Sequence, residues 1–371
     1  MEEMNILHIA TDYSEGTLVY KNLITELNNH NCCNKVFVPL LKGRQAYRSD
    51  ICKEIPCFNQ MDRVLYFTKQ KKLKDALVSE YNPYDFDLIC AHTLFSTGYT
   101  AYKLNETYGI PYTVSVINTD VNVFFKKMVH LRSVGIKILK NASGIIFISK
   151  PYRDYVINNY VPKNLRKEFF DKSYIVPFSI DNFYFENQPQ KKKRVVDDGI
   201  KLVEVVRDFN RNKNLKTVVK AVEFLNQKER NTTLTLIGNI HSSRDQELID
   251  KYDFIKHIPF SDKEDLIKYL NEEDIFVMAS HNETFGLVYA EAISQGLPVI
   301  YSRGQGFEGN FAEGEVGYSV ESSSYEEIVD RVITICNDYD NMSERCLKNA
   351  KRFSSYNVAE EYIKIFKRVL E

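Results

Sequence analysis

Two glutamates eight positions apart, Glu283 and Glu291, flank a glycine in the run Ser280-His281-Asn282-Glu283-Thr284-Phe285-Gly286-Leu287-Val288-Tyr289-Ala290-Glu291. Carboxylates accept hydrogen bonds and donate none, so the pair suits the hydroxyls of a ribose and of a sugar. Gly286 carries no side-chain bulk, and the free amides of a helix start suit a phosphate. The plain reading of the same residues is a first-turn acid favoured by the helix dipole, followed by a solvated helix position. Cations elsewhere favour the chemical reading. Arg207 and Lys213 bracket the polar loop Asp208-Phe209-Asn210-Arg211-Asn212. A guanidinium bonding in bidentate fashion and a compact ammonium can together clamp a diphosphate.

These groups need a frame that brings their loops together. Residues 275–280 read as a buried strand, and Leu287, Ala290, Ala292 and Ile293 as a short helix. Gly296 is expected to end that helix in a left-handed conformation, and 298–301 to open the next strand. Helical periodicity also starts at Leu215 and runs through Val218, Val219, Val222 and Leu225. Strand-to-helix junctions of a parallel α/β sheet lie at the carboxyl ends of strands, where ligands bind. The remaining strands fall at 5–10, 35–39, 88–92, 112–117, 144–149 and 174–177, then at 201–206 and 234–238. Their alternation with helices predicts doubly wound parallel sheets. Between the two series, 182–198 is polar, and Gln188-Pro189-Gln190-Lys191-Lys192-Lys193-Arg194 reads as a linker or surface excursion. Val358, Tyr362, Ile365, Phe366 and Val369 give the last segment an amphipathic helical pattern.

Composition narrows the function. At 371 residues and 44% hydrophobic, the chain suits two globular domains, and a net charge of −1 gives no field for nucleic acid. Seven cysteines without zinc-type spacing read as core thiols of a reducing compartment. No leader opens the sequence and no apolar run approaches 18 residues, which predicts a cytoplasmic protein that can still touch a membrane from that side.

The motifs, in this order and spacing, resemble the retaining glycosyltransferases of family 4. That resemblance implies the GT-B fold, two Rossmann-like doubly wound parallel-sheet domains facing a central cleft. It carries an acceptor-side domain at 1–182, a donor domain at 183–354, and a helix at about 355–371 packing back on the first. Beside Glu283…Glu291 and Arg207…Lys213, it rests on Gly238 at a strand end and on Ile175-Val176-Pro177-Phe178-Ser179-Ile180-Asp181. It assigns the donor diphosphate to Arg207 and Lys213, the ribose to Glu291 and the transferred sugar to Glu283. Amides of Thr284, Phe285, Gly286, Leu287 and Val288 complete the contacts, with Gly16 admitting the diphosphate from the other domain. Relatives often carry a glycine pair at Gly16 and a histidine where this chain reads Asn118-Thr119-Asp120. Asp120 or Asn118 is the expected replacement, with His92 a further candidate. A lone histidine after a strand is more often structural.

The implied activity is that of a hexosyltransferase moving sugar from a nucleoside-diphosphate-sugar to a glycan or lipid-linked acceptor, in bacterial surface-polysaccharide synthesis. Neither a metal nor a cofactor is expected, the cations standing where Mg²⁺ would act. A same-fold epimerase or phosphorylase, or a non-catalytic nucleotide-sugar-binding subunit, are the alternatives. A nicotinamide dehydrogenase is disfavoured, since 11–17 offers Gly16 alone where G-x-G-x-x-G is needed. Val121-Asn122-Val123-Phe124-Phe125-Lys126-Lys127-Met128, with His130, Arg132, Lys137 and Lys140, reads in two ways. It is either an acceptor- or membrane-facing surface, or a helix with one buried and one solvated face.

Overall fold

The computed structural model describes residues 3–14, 19–190 and 199–371. They divide into two compact units, Met1–Ser179 with Ser355–Glu371, and Ile180–Ser354. The division falls at Ser179/Ile180, ahead of the polar stretch in which composition places it. Gln188 already belongs to the second unit, where its amide donates to the Leu347 carbonyl at 2.9 Å.

The first unit holds seven strands: β1 (Met4–Ile9), β2 (Cys32–Leu41), β3 (Cys52–Phe58), β4 (Leu88–Ala91), β5 (Tyr112–Val116), β6 (Gly144–Phe147) and β7 (Ser173–Ile175). All pair in parallel, in the order β3-β2-β1-β4-β5-β6-β7. The second holds β8 (Ile200–Phe209), β9 (Thr232–Ile240), β10 (Ile255–Ile258), β11 (Ile275–Met278), β12 (Val299–Ser302) and β13 (Gly317–Val320), parallel in the order β10-β9-β8-β11-β12-β13. Every residue of β4, β5, β6, β11 and β12 is buried, as parallel strands covered on both faces must be. In each sheet the strand order reverses once, between β1 and β4 and between β8 and β11. The carboxyl ends flanking such a reversal are where α/β proteins bind ligands.

The helix Ser355–Leu370 packs in the first unit. Its Val358, Ala359, Tyr362, Ile365 and Phe366 join Leu23 and Leu27 of the helix Val19–Asn28, with Ile6, Leu88 and Val176 beneath. The spacing of those apolar residues is that of one helical stripe, which accounts for the docking. Among the described residues no helix is long and apolar enough to cross a membrane.

Candidate active site

The second unit builds its site from two loops at the β8/β11 reversal. Pairing of β8 with β9 shifts between Val205 and Asp208. Opposite lies Gly238 at φ +149°, where a Cβ would stand 2.1 Å from the Val206 carbonyl oxygen. Close strand approach therefore demands this glycine whatever it does for a ligand. At the same irregularity Arg207 emerges exposed from a strand buried from Leu202 to Val206, and it makes no ion pair among the described residues.

Four asparagines, which sequence reasoning does not single out, then lock the loops. Asn210 Oδ1 accepts from Asn212 N at 2.9 Å. Asn212 exchanges bonds with Asn282, Oδ1 accepting from its N–H at 3.0 Å and Nδ2 donating to its carbonyl at 2.8 Å. Asn214, at φ +59°, precedes the helix Leu215–Gln227 and donates to the Ala279 carbonyl at 3.0 Å. Asparagine tolerates the left-handed turn and offers a short amide to main chain, which suits it to both tasks.

This zipper presents Lys213 to the loop after β11. Lys213 Nζ lies 2.8 Å from Glu283 Oε2, with side chains 21% and 14% exposed. Glu283 Oε1 accepts from Thr284 N at 3.1 Å, while the Glu283 N–H donates to Gln305 Oε1 at 2.9 Å. The Glu283 carbonyl accepts from Gly306 N at 2.8 Å. A Cβ at Gly306 would meet the Thr284 oxygen at 1.6 Å, so this glycine fixes the loop. Phe285 is buried against Phe353 and Phe307, at 5.6 and 6.4 Å between ring centroids. Its ring belongs to the core. Gly286, at φ +73°, opens the helix Leu287–Ser294, and no side chain caps that start. Leu287 and Val288 are half-buried there.

Glu291 lies on the same helix, half-buried. Burial pushes its carboxyl up to about 7, the Tyr184 hydroxyl bonded to it works against that rise, and Asp181 adds repulsion. Tyr184 is held in turn by Gln295, whose Nε2 donates to its carbonyl at 2.9 Å. Asp181 is itself paired with Lys263 at 2.7 Å. Beneath the loops, Glu204 on β8 is fully buried, its two carboxylate oxygens without a partner among the described residues. Burial pushes it up to about 8, opposed by the Lys213 charge. A glutamate inside Leu202-Val203-Glu204-Val205-Val206 was the available signal.

The first unit places its polar residues differently. Gly16 lies outside the described residues. Asn118 is exposed and accepts from the Asn122 amide. Asp120 is 1% exposed, and its oxygens accept from the N–H groups of Leu94, Phe95 and Ile117, each at 3.0 Å. Burial raises its carboxyl to about 6 against those three bonds. With both oxygens engaged, Asp120 ties two loops together and acts as a positioning residue. His92, also 1% exposed, bonds His8 at 3.0 Å, and His8 bonds Asn34 Oδ1 at 2.8 Å. Cys90 completes a buried trio with these histidines, and burial raises its thiol to about 12.

The region 121–140 takes the second of its two readings. Val121, Phe125 and Leu131 are buried, and Phe124 stacks on Phe95 at 4.5 Å, while Lys126, Lys127 and His130 face solvent. Its aromatics serve the core and leave no aromatic docking face. A cavity of about 1130 Å³ in the second unit is lined by Asp208, Arg211, Lys216, His241 and Arg244. None of Arg207, Lys213, Glu283 or Glu291 lines it. The site follows the reversal of the strand order and the paired charges, not this cavity.

The chain is similar to known proteins in sequence and in fold. The Staphylococcus aureus capsular polysaccharide biosynthesis glycosyltransferase CapM is 25% identical over 62% of this chain and 63% of its own length. This chain spans less than two thirds of CapM and of the next curated relatives it matches. Sucrose-phosphate synthase from Thermosynechococcus elongatus superposes with a TM-score of 0.73 at 18% identity, over 98% of both chains. Anabaena HepE in complex with UDP-glucose gives 0.67 at 15% identity, over 98% of this chain and 99% of that one. The likeness to these structures shows the GT-B fold. Residues 186–353, nearly the whole second unit and all four of Arg207, Lys213, Glu283 and Glu291, match the family Glycosyl transferases group 1, and this chain carries that family's domain on a GT-B fold.

Proposed function

We propose that the protein is a retaining glycosyltransferase of family 4 that moves a hexose from a nucleoside-diphosphate-sugar to a glycan or lipid-linked acceptor in surface-polysaccharide synthesis. The observation that carries the reading is the Lys213–Glu283 pair at 2.8 Å beside an uncapped helix start. A diphosphate entering there competes with Glu283 for the Lys213 ammonium. Glu283 Oε2, once released, is available to accept from a hydroxyl of the transferred sugar. Arg207, exposed and unpaired among the described residues, supplies the second charge, and the amides from Gly286 to Val288 supply oriented donors.

Transfer with retention then proceeds with no enzyme nucleophile. The acceptor hydroxyl attacks as the nucleoside diphosphate leaves, and a leaving phosphate oxygen takes the proton. The protein positions the reactants and stabilises charge developing on the leaving group. Glu291 holds the ribose. CapM, a capsule enzyme by name, supports the pathway, and the UDP-glucose complex of HepE supports the donor class.

Two measurements test this. UDP-, GDP- and ADP-sugars are screened by thermal shift, and one class is expected to raise the melting temperature by mass action. Arg207→Ala is expected to lose about tenfold or more in turnover at unchanged melting temperature. No stabilisation by any donor, or near-normal turnover of the variant, overturns the donor assignment.

A further inference from the structure

The first unit carries a segment built inside out. After β3 come a single 3-10 turn, Gln60–Arg63, and the helix Tyr66–Glu80. Met61 is 77% exposed, Val64 85%, Leu65 53% and Phe67 56%. Other exposed large hydrophobics among the described residues, such as Tyr47, Tyr84, Val129 and Phe260, stand singly along the chain, whereas these four fall within seven positions. Single exposures need no explanation, but a contiguous group does.

Polar residues of the same segment point inward. Asp62, 4% exposed, accepts from Asn59 N and is clasped by Lys72 Nζ at 2.7 Å. Gln70, 2% exposed, and the Tyr66 hydroxyl both donate to the Phe95 carbonyl at 3.0 Å. These bonds hold the turn and the first helical turns in place with their apolar side chains outward.

Charge identifies what this face meets. Residues 60–74 contain Arg63, Lys69, Lys71, Lys72 and Lys74 against Asp62 alone, a net of +4 on a chain of net −1. Lys42 and Arg44 are exposed on the neighbouring turn, where the Lys42 N–H donates to the Phe58 carbonyl at 2.8 Å. A second copy pairing through this face would set like charge against like. An anionic bilayer satisfies both features, since acyl chains take the apolar tips and headgroup phosphates take the cations.

We propose that the segment 60–74 docks the first unit on an anionic phospholipid bilayer. Met61, Val64, Leu65 and Phe67 enter the headgroup–acyl boundary, and the exposed Arg63 and Lys71 pair with headgroup phosphates. This relocates membrane contact from 121–140 and gives a lipid-linked acceptor a surface to arrive on. It stands on the first unit alone and does not depend on the donor assignment.

The full chain is sedimented with vesicles of phosphatidylcholine, and of phosphatidylcholine with phosphatidylglycerol. Binding is expected to be about tenfold tighter to the anionic vesicles and to weaken as salt rises. Val64→Glu with Phe67→Glu should lower it about tenfold, and Arg63→Gln with Lys71→Gln should remove the preference for anionic lipid. Both variants should keep the parent melting temperature and donor-induced thermal shift. Equal binding to both vesicle types overturns the proposal, as does binding unchanged in both variants. A concentration-dependent dimer that Val64→Glu with Phe67→Glu dissolves would assign the face to a second copy instead.

Discussion

The two sheets share one strand order about their reversals, β2-β1-β4-β5 in the first unit and β9-β8-β11-β12 in the second. They use the place where ligands bind in opposite ways. In the first, Asp120 and the buried histidines are engaged with neighbouring groups, His92 Nδ1 alone of their polar atoms lacking a partner among the described residues. Asp120 is saturated by three amides, and His92, His8 and Asn34 bond one another out of reach of solvent. Burial lowers His8 to about 4 and holds His92 well below its ordinary range, so neither carries a charge at neutral pH. In the second, Lys213 and Glu283 are partly exposed and hold each other by a single charge-assisted contact. A ligand of matching charge can replace either partner. One topology thus supplies a rigid support in one unit and exchangeable charges in the other, and side-chain burial makes the difference.

The contrast breaks most sharply under truncation. Asp120→Ala leaves three buried N–H groups without their side-chain acceptor, and is expected to lower unfolding stability by about 3 kcal/mol. Glu283→Ala removes an acceptor from a partly exposed lysine and should lower it by about 1 kcal/mol at most, while abolishing most turnover. Urea denaturation of both at neutral pH makes the comparison. Similar losses would mean that the second site is held as rigidly as the first.

Glu204 sharpens the comparison, because it puts a carboxyl without a partner among the described residues under the exchangeable site. Its ordinary value is 4.5, and burial raises it to about 8. Between these values the folded chain keeps a proton that the unfolded chain has lost. Stability contributed by this group is therefore full below about 4.5, falls as pH rises, and levels off above about 8. Glu204→Gln removes that dependence. The variant should match the parent near pH 5 and exceed it by roughly 2 kcal/mol at pH 9, measured by urea denaturation. Parallel stability curves would show that Glu204 has a partner that holds it charged.

What is legible in the sequence follows from the same physics. Fully buried strands such as β4, β6, β11 and β12 announce themselves as apolar runs, and the Gly286 and Gly296 turns by the conformations they require. The strands that sequence reasoning misses, β3, β10 and β13, are all at sheet edges. There burial is partial, as in β10, and β3 admits Pro56 because an edge need not donate on both sides. The pairing of Lys213 with Glu283 can be guessed from residue types, but the asparagine zipper that enforces it joins residues about 70 positions apart. Polarity also misleads. Asp120 reads as chemistry because it is an acid after a strand, yet three amides bind it. The segment 60–74 gives no signal in the sequence because its apolar residues look like core until their exposure is known.

The smallest effect separates Glu291 from Glu283. Glu291 titrates near 7, so its accepting form is depleted just below neutral pH. If it holds a ribose hydroxyl as a carboxylate, donor affinity should rise as pH climbs through about 7, because ionisation turns one donor oxygen into a second full acceptor. The gain corresponds to one charge-assisted hydrogen bond, about fivefold in Kd. Glu291→Gln should bind donor at the weaker level across the range, with no inflection near 7. Donor titrations of parent and variant at pH 6 and 8 read this directly. An inflection that survives in Glu291→Gln would move the titrating group elsewhere, to Glu204. A parent without any inflection would mean that Tyr184, which already donates to Glu291, keeps the carboxylate ionised throughout. In that case the second unit would hold one fixed acid beside its exchangeable one, and the division between the two units would run through the site itself.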